Sequence, residues 1–499
     1  MELQFEKTTI SCLQTLLQQI KEQEITQEVR ITEDMPDIGR VLFCWGQVLI
    51  RSKEWNERTA GVGGGVMCRV LYEPEDGSAP RSLEAWLPLQ IRWDLPEHDR
   101  DGELLVFPLI RGMDARPASA RSMLFRVSVS ALGEAITRDD ITVFYPDDKP
   151  EDVECLEHTY PVLLGLESGE KVFTMEETVV LPDGMITPEK VLSYSAQPVI
   201  TENRLMGDKL VFRGNVKLHL MYIDDEGYLH CWDTERPFSH YAQLNGEYGD
   251  QAMSRIWMIL SSVEMQQNTD NEFGWKVTMN AQYKILDRRN LKIMADAYSP
   301  YRETEAHTET LLVPSVLSNE DIILKPECSM PFDGARLVES VCRLDHPSCY
   351  TQGNTAVIKC GGTFAILGYN TDGKLVSAEK RWEETVDYPV DPSVKLELYC
   401  DLCDAVNTAT SGGNVLWSTA VTTSISAVSS KGLPMVTVLK IGDRRTLDPE
   451  RPGLVIRRAG DDTLWEIARM TGSTVAAIMN ANHLEQEPSG DQMLLIPVV

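Results

Sequence analysis

Val216-Lys217-Leu218-His219-Leu220-Met221-Tyr222, followed by the turn residues Asp224-Asp225-Glu226-Gly227, sets the key in which the rest of the chain can be read. Val216, Leu218, Leu220 and Tyr222 alternate with Lys217, His219 and Met221, the period-two pattern of a strand with one buried face. His219 falls on the outer face of that strand. The same arrangement stands earlier as Gly65-Val66-Met67-Cys68-Arg69-Val70-Leu71-Tyr72 before Asp76-Gly77. It returns later as Thr363-Phe364-Ala365-Ile366-Leu367-Gly368-Tyr369 before Asp372-Gly373. The step from Tyr72 to Tyr222 is matched almost to the residue by the step from Tyr222 to Tyr369. Met35 and Met185, Val41 and Val191, and Phe125 and Trp275 keep the same register as Tyr72 and Tyr222, while Trp417 follows Trp275 at a slightly shorter distance.

This period is far longer than a solenoid unit, so each copy can carry its own core. The copies are read as residues 25–145, 165–305 and 308–442. Trp275–Ile285 and Ser418–Ser429 have strand composition, and Gly or Asn in the turns tolerates positive φ. The expected fold is mainly β: three tandem antiparallel sandwich- or barrel-like repeats. Residues 1–24 are read as a helical segment, because Ile10, Leu13, Leu16, Leu17 and Ile20 space an apolar stripe at threes and fours over Thr9–Gln23.

The text changes after Ile441. Residues 443–453 form a polar, Pro- and Gly-punctuated linker. Residues 454–499 then read as strand, helix, helix, strand. Asp462 or Thr463 caps the first helix, with Leu464, Ile467 and Ala468 as its apolar face and Gly472 as its stop. Ser473-Thr474 opens a second helix ending at Asn480-Ala481-Asn482, and Met493–Pro497 closes the unit.

Asp462-Thr463-Leu464-Trp465, Ile467-Ala468, Asn480, Asn482 and Ile496-Pro497 resemble, in order and spacing, the LysM domain, a small α+β (βααβ) module. That resemblance implies a groove for N-acetylglucosamine-containing glycans between Gly460, Asp461, Asp462 and Thr463 on one side and Ala481, Asn482, His483 and Leu484 on the other. It also implies a core of Leu464, Trp465, Ile467, Ala468, Ile478 and Ile496. Trp465 is read as anchoring the first helix on the small sheet, so that its loss unfolds the unit. Asp461 and Asp491 stand where the family has glycines, unless Gly460 and Gly490 serve after a one-residue shift. Asp brings a Cβ and a charge to such sites, which favours a domain that binds protein over one that binds glycan.

Several β copies followed by a linker and one C-terminal LysM resemble the SipL-like spore coat morphogenetic proteins of sporulating Firmicutes, with their SPOCS domains. The resemblance implies a non-enzymatic scaffold of spore coat assembly in the mother-cell cytoplasm, recruited to the forespore surface. It implies the coat ATPase SpoIVA as the partner of the LysM domain and other coat components as partners of the repeats. The rival expectation is a peptidoglycan-binding protein whose LysM takes the glycan, from peptidoglycan or its precursors.

Composition narrows the classes further. In 499 residues, 76 acidic against 47 basic side chains leave a net charge of −29, which disfavours a general nucleic-acid binder. The apolar run Val41–Ile50 is half of the roughly 20 residues a membrane helix needs, and Met-Glu-Leu-Gln-Phe-Glu-Lys lacks a signal peptide's basic and apolar regions. Eleven scattered cysteines fit reduced thiols better than a disulfide framework.

No catalytic residue, cofactor or metal is expected. Cys400-Asp401-Leu402-Cys403 is a CxxC without two further ligands at zinc spacing. Gly61–Gly65 lacks a phosphate-loop pattern and reads as a flexible loop. The pairs Asp147-Asp148 and Asp224-Asp225 sit in polar turns and read as solvated. Trp86, Trp232 and Trp382 each follow their Tyr-ended strand a short way downstream and read as core or hairpin packing.

Overall fold

Alternating side chains become strand throughout the repeats in the computed structural model. It describes residues 3–146, 150–403, 406–446, 452–488, 490 and 492–498. Asp147-Asp148, the linker stretch 447–451 and Asp491 lie outside the described residues. Copy 1 comprises β1 (Phe5–Arg30), β2 (Ile38–Trp55), β3 (Thr59–Pro74), β4 (Arg81–Asp94), β5 (Gly102–Ser119) and β6 (Ser122–Pro146). Copy 2 comprises β7 (Glu154–Val180), β8 (Lys190–Ile223), β9 (Leu229–Tyr248), β10 (Met253–Thr269) and β11 (Glu272–Tyr298). Copy 3 begins with β12 (Arg302–Leu324), β13 (Glu327–Pro331), β14 (Gly334–Leu344), β15 (Ser348–Gln352) and β16 (Thr355–Asn370). It continues through β17 (Leu375–Pro389), β18 (Lys395–Leu402), β19 (Asn407–Ser411), β20 (Asn414–Ser418) and β21 (Val421–Arg444). The C-terminal unit is β22 (Leu454–Arg458), α1 (Leu464–Thr471), α2 (Val475–Asn482) and β23 (Met493–Pro497).

Each copy is closed by its own ends. The first strand pairs antiparallel with the last, β1 with β6, β7 with β11 and β12 with β21, and one more strand completes each of these sheets. The opposing sheets are β2-β3-β4, β8-β9 and β14-β16-β15 with β17 also on β16. Their facing side chains form one core per copy, as with Val66, Cys68 and Val70 of β3 against Phe125, Val127 and Val129 of β6. Gly77, Gly227 and Gly373 take φ of +74°, +85° and +74°, the left-handed turn geometry that the repeated Asp-Gly or Glu-Gly pairs predict.

The N-terminal segment is a strand, not the helix expected over Thr9–Gln23. The register on β6 shifts between Thr15 and Leu17, the mark of a β-bulge. Before it Ile10 and Cys12 face a core; beyond it Leu17, Ile25 and Val29 do. The parity change at the bulge sets the core-facing Ile10 and Leu17 seven residues apart, an interval that also fits a helix, while Ile20 of the same stripe is exposed. The segment is thus the closing strand of copy 1, the counterpart of β7 and β12.

Gly61–Gly65 is likewise strand rather than flexible loop, lying in β3 between β2 and β4. A Cβ on Gly64 would come within 2.0 Å of the Leu49 carbonyl oxygen, and one on Gly65 within 2.3 Å of the Trp86 ring. The device recurs: a Cβ on Gly214 would meet Val199 O at 2.1 Å, and one on Gly362 would meet Arg343 O at 2.3 Å. These glycines let backbone segments close, two strands in copies 1 and 3 and the two arms of β8 folded back at Gly207 in copy 2, where an aromatic side chain also packs, Phe238 beside Gly214 and Trp382 beside Gly362. Trp232 and Trp382 are core residues, and Trp86 packs against the copy 2 core. Gly64→Ala, Gly214→Ala and Gly362→Ala are each expected to destabilise by about 1–3 kcal/mol through overpacking. Calorimetry of the full chain checks this against Gly112→Ala, whose Cβ would meet nothing within 4 Å.

The three copies form a closed ring, since β1 touches β7, β7 touches β12 and β5 touches β14. Equivalent positions of the copies converge on shared clusters. Ile141, Leu291 and Leu433 meet with Val143, Ile293 and Met435 in one of them. Leu71 and the equivalent Met221 meet Leu367, one residue out of the Tyr369 register, in another. Buried polar groups also link the copies: Lys284 of copy 2 pairs with Glu134 of copy 1 and, at 3.7 Å, with Glu397 of copy 3. Glu134 also accepts from the Tyr399 hydroxyl of copy 3 at 2.6 Å.

Candidate functional site

Local chemistry builds the C-terminal unit as its sequence predicts. Thr463 is the N-cap of α1, with Oγ1 accepting from the Glu466 amide at 3.2 Å while the Glu466 carboxylate accepts from the Thr463 amide at 2.8 Å. Those bonds from the Thr463 amide and hydroxyl hold the Glu466 carboxyl below the usual carboxylate range. Gly472 ends α1 at φ +64°, and Thr474 caps α2. Leu464, Ile467, Ala468, Ile478, Leu494 and Ile496 form the buried core.

The eight proposed groove residues divide between backbone and rim. Gly460 takes φ +64° and donates its amide to Gly490 O at 2.9 Å, so the left-handed position falls on Gly460 and Asp461 stands exposed beside it. Asp462 pairs with Arg457. On the opposite loop, the Asn482 amide group donates to Leu495 O at 2.6 Å and accepts from Leu495 N at 2.7 Å, tying α2 to β23. His483 caps α2 at φ +52°, and the amide of Leu484 donates to Met479 O at 3.0 Å. Glu487 bridges the two loops by accepting from the Leu464 amide at 3.0 Å. Ala481 is half-buried, and Asp461, Glu485 and Glu487 make the rim acidic. The sheet adjoining it turns Leu454, Ile456, Met493 and Leu495 to solvent, with Ile456 62% exposed.

Trp465 packs against this core from its edge rather than sitting inside it. It lies half-buried between α1 and copy 2, with its ring edge-on to Tyr298 at 4.9 Å and Nε1 donating to Asp296 Oδ2 at 2.8 Å. Arg469 Nη1 reaches the same oxygen at 2.6 Å, and the Tyr298 hydroxyl donates to Ser473 O at 2.9 Å. Burial, then the nearby Glu154 and Asp296 carboxylates, pushes the Tyr298 phenol up, which keeps it a proton donor. The end of β11 is therefore the seat of the small unit.

Two family models match the chain: "SipL, SPOCS domain" over residues 188–265, which run through β8, β9 and most of β10, and "LysM domain" over residues 458–488. The chain carries a SipL SPOCS domain and a LysM domain. No curated protein and no solved structure matches it. A SPOCS domain together with a LysM domain fits a sporulation-related coat protein. Among the described residues, no helix is long and apolar enough to cross a membrane.

One acidic residue departs from its sequence reading. Asp224 is buried, not solvated: it accepts from the Tyr228 amide at 2.8 Å and pairs with His230 at 2.8 Å. Cys400 and Cys403 join no group of three metal-donor side chains among the described residues. His219 lies on the outer face of its SPOCS strand, opposite the core residues Val216, Leu218, Leu220 and Tyr222, and that face meets copy 3, where Cys231 and Glu339 join it at the wall of a cavity of about 910 Å³ between the copies. Pairing of His219 with Asp233 and of Met221 with Cys231 across the β8-β9 hairpin was legible from the turn. The arrival of Glu339 from β14, in the next copy, was not.

Proposed function

We propose that this protein is a non-enzymatic scaffold of spore coat assembly, whose LysM domain grips a SpoIVA-like coat ATPase and whose SPOCS-type copies bind other coat components at the forespore surface. The observation that carries this reading is the apolar face of Leu454, Ile456, Met493 and Leu495 beside an acidic loop rim. Contiguous exposed apolar side chains rimmed by polar ones mark protein interaction surfaces. The acidic rim favours a partner with a basic patch. Gly460, Asp461, Asp462 and Thr463 with Ala481, Asn482, His483 and Leu484 are its proposed edge. Several modest surfaces on one chain act at high effective concentration once the first is engaged, which suits assembly of a shell.

A second reading is binding of peptidoglycan or N-acetylglucosamine, and the LysM match favours it. Capture of the full-length protein on an immobilised SpoIVA-like ATPase and on purified sacculi separates the two. The scaffold reading expects capture by the ATPase, weakened about tenfold or more by Ile456→Ser with Leu495→Ser, or by Asp461→Lys, at roughly 1.4 kcal/mol per tenfold. Capture by sacculi alone reverses the assignment.

A further inference from the structure

The one cluster of mixed metal-donor side chains among the described residues lies at the seam between copies 2 and 3. His219 projects from β8, Cys231 from β9 and Glu339 from β14, each half-buried, with their donor atoms all within 4.8 Å of one another. His219 Nε2 lies 2.7 Å from Glu339 Oε2, yet it has no partner in hydrogen-bond geometry. Cys231 Sγ lies 3.8 Å from the same oxygen.

Their surroundings orient these groups. The other ring nitrogen, His219 Nδ1, is 2.7 Å from Asp233 Oδ1, a contact that orients the ring and points Nε2 at Glu339 Oε2. The other Glu339 oxygen, Oε1, accepts from the Ser340 amide at 2.9 Å, which turns Oε2 toward the histidine and the thiol. Histidine nitrogen, cysteine sulfur and carboxylate oxygen form a donor set suited to Zn²⁺. Three protein ligands leave a fourth position of the tetrahedron for water or another ligand. The three donor residues and Asp233 line the central cavity, which supplies room for that ligand.

We propose that His219, Cys231 and Glu339 bind one Zn²⁺ ion that clips copy 2 to copy 3, with Asp233 orienting the histidine and the fourth coordination position open to the central cavity. On binding, the Cys231 thiol releases its proton to solvent and coordinates as thiolate, and any proton held on His219 Nε2 leaves with it so that the ring coordinates as neutral imidazole. Tetrahedral ligands about 2.0–2.3 Å from the ion lie roughly 3.3–3.8 Å apart, so His219 Nε2 and Glu339 Oε2, 2.7 Å apart here, would part slightly to admit it. The ion would make the contact between these copies depend on metal as well as on packing.

The test uses the full chain, stripped with a chelator and titrated with CoCl₂ and, in competition, ZnCl₂. One Co²⁺ per chain is expected, with a thiolate-to-cobalt charge-transfer band and tetrahedral visible bands that Zn²⁺ abolishes. Cys231→Ser should remove the charge-transfer band, and Asp233→Asn should weaken binding about 10–100-fold. Cys400→Ser with Cys403→Ser should change neither. Glu339→Gln, nearly isosteric, should weaken binding while circular dichroism shows the fold retained, which guards against a variant that merely unfolds. Absence of stoichiometric uptake by the wild-type chain overturns the proposal. So does a band that survives Cys231→Ser or disappears with Cys400→Ser and Cys403→Ser.

Discussion

Lys284→Met is expected to destabilise the ring by about 3–5 kcal/mol, the range for removing one partner from a buried ion pair. Lys284 lies between Glu134, which is fully buried, and Glu397, which is 6% exposed. These three residues belong to three different copies, so the loss falls on the junction of the whole ring. Tyr399 and Thr15 hydroxyls, at 2.6 and 3.1 Å, continue to donate to Glu134 in the variant but bring no charge. Two carboxylates then face each other without the cation that paired with both. Replacing all three ionic residues together with apolar ones of similar volume should recover much of the loss, because the desolvation of the charges is removed with them.

The deficit should also depend on pH. Burial first, then the Glu134 carboxylate, already holds the Glu397 carboxyl above its ordinary range, while Lys284 opposes the rise. Without Lys284 the rise is larger. A carboxyl with a raised folded pKa contributes stability that is full below its unfolded pKa and lost as pH rises through the folded value. The variant should therefore be closest to wild type near pH 5 and fall away toward pH 8. Thermal denaturation of both chains across that window checks the sign, and a deficit that grows on acidification would contradict it.

Trp465→Ala should undock the LysM domain and leave it folded. The ring and Nε1 contact Tyr298 and Asp296 of β11 and only edge the core of the domain, whose buried members within it are Ala459, Leu464, Ile467, Ala468, Ile478, Leu494 and Ile496. The loss is expected at about 3 kcal/mol, the low end for truncating a large aromatic, since the side chain is only half-buried. Asp296→Asn should act in the same direction, because the carboxylate accepts from both Trp465 and Arg469. Hydrogen exchange separates docking from folding. Amides near Asp296 and Tyr298 should lose protection while those of α1 and α2 keep theirs. Loss of protection throughout residues 454–498 would restore Trp465 to the core.

These two sites show where sequence reasoning stops. The cap at Thr463, the stop at Gly472 and the strand–helix–helix–strand order are local, set by near neighbours in the chain, and they were legible. The destination of Trp465 was not, because an aromatic beside a helix start reads as core until its partner is known, and Tyr298 belongs to copy 2, with the whole of copy 3 between them in the chain. The bulge in β1 was hidden for a related reason: its parity change is fixed by pairing with β6, the last strand of the copy.

What the sequence determined by itself is the long-period repeat, the alternation that makes each copy β, the turn glycines and the identity of the C-terminal module. All of these arise from short-range periodicity, steric allowance of φ, and capping. Only the tertiary structure decided that the copies close into a ring, that Glu134, Lys284 and Glu397 meet inside it, that His219 finds Glu339, and that the LysM domain sits on copy 2. Such contacts join side chains whose individual positions look ordinary, and they become distinct only when sheets from different copies bury their equivalent faces against one another.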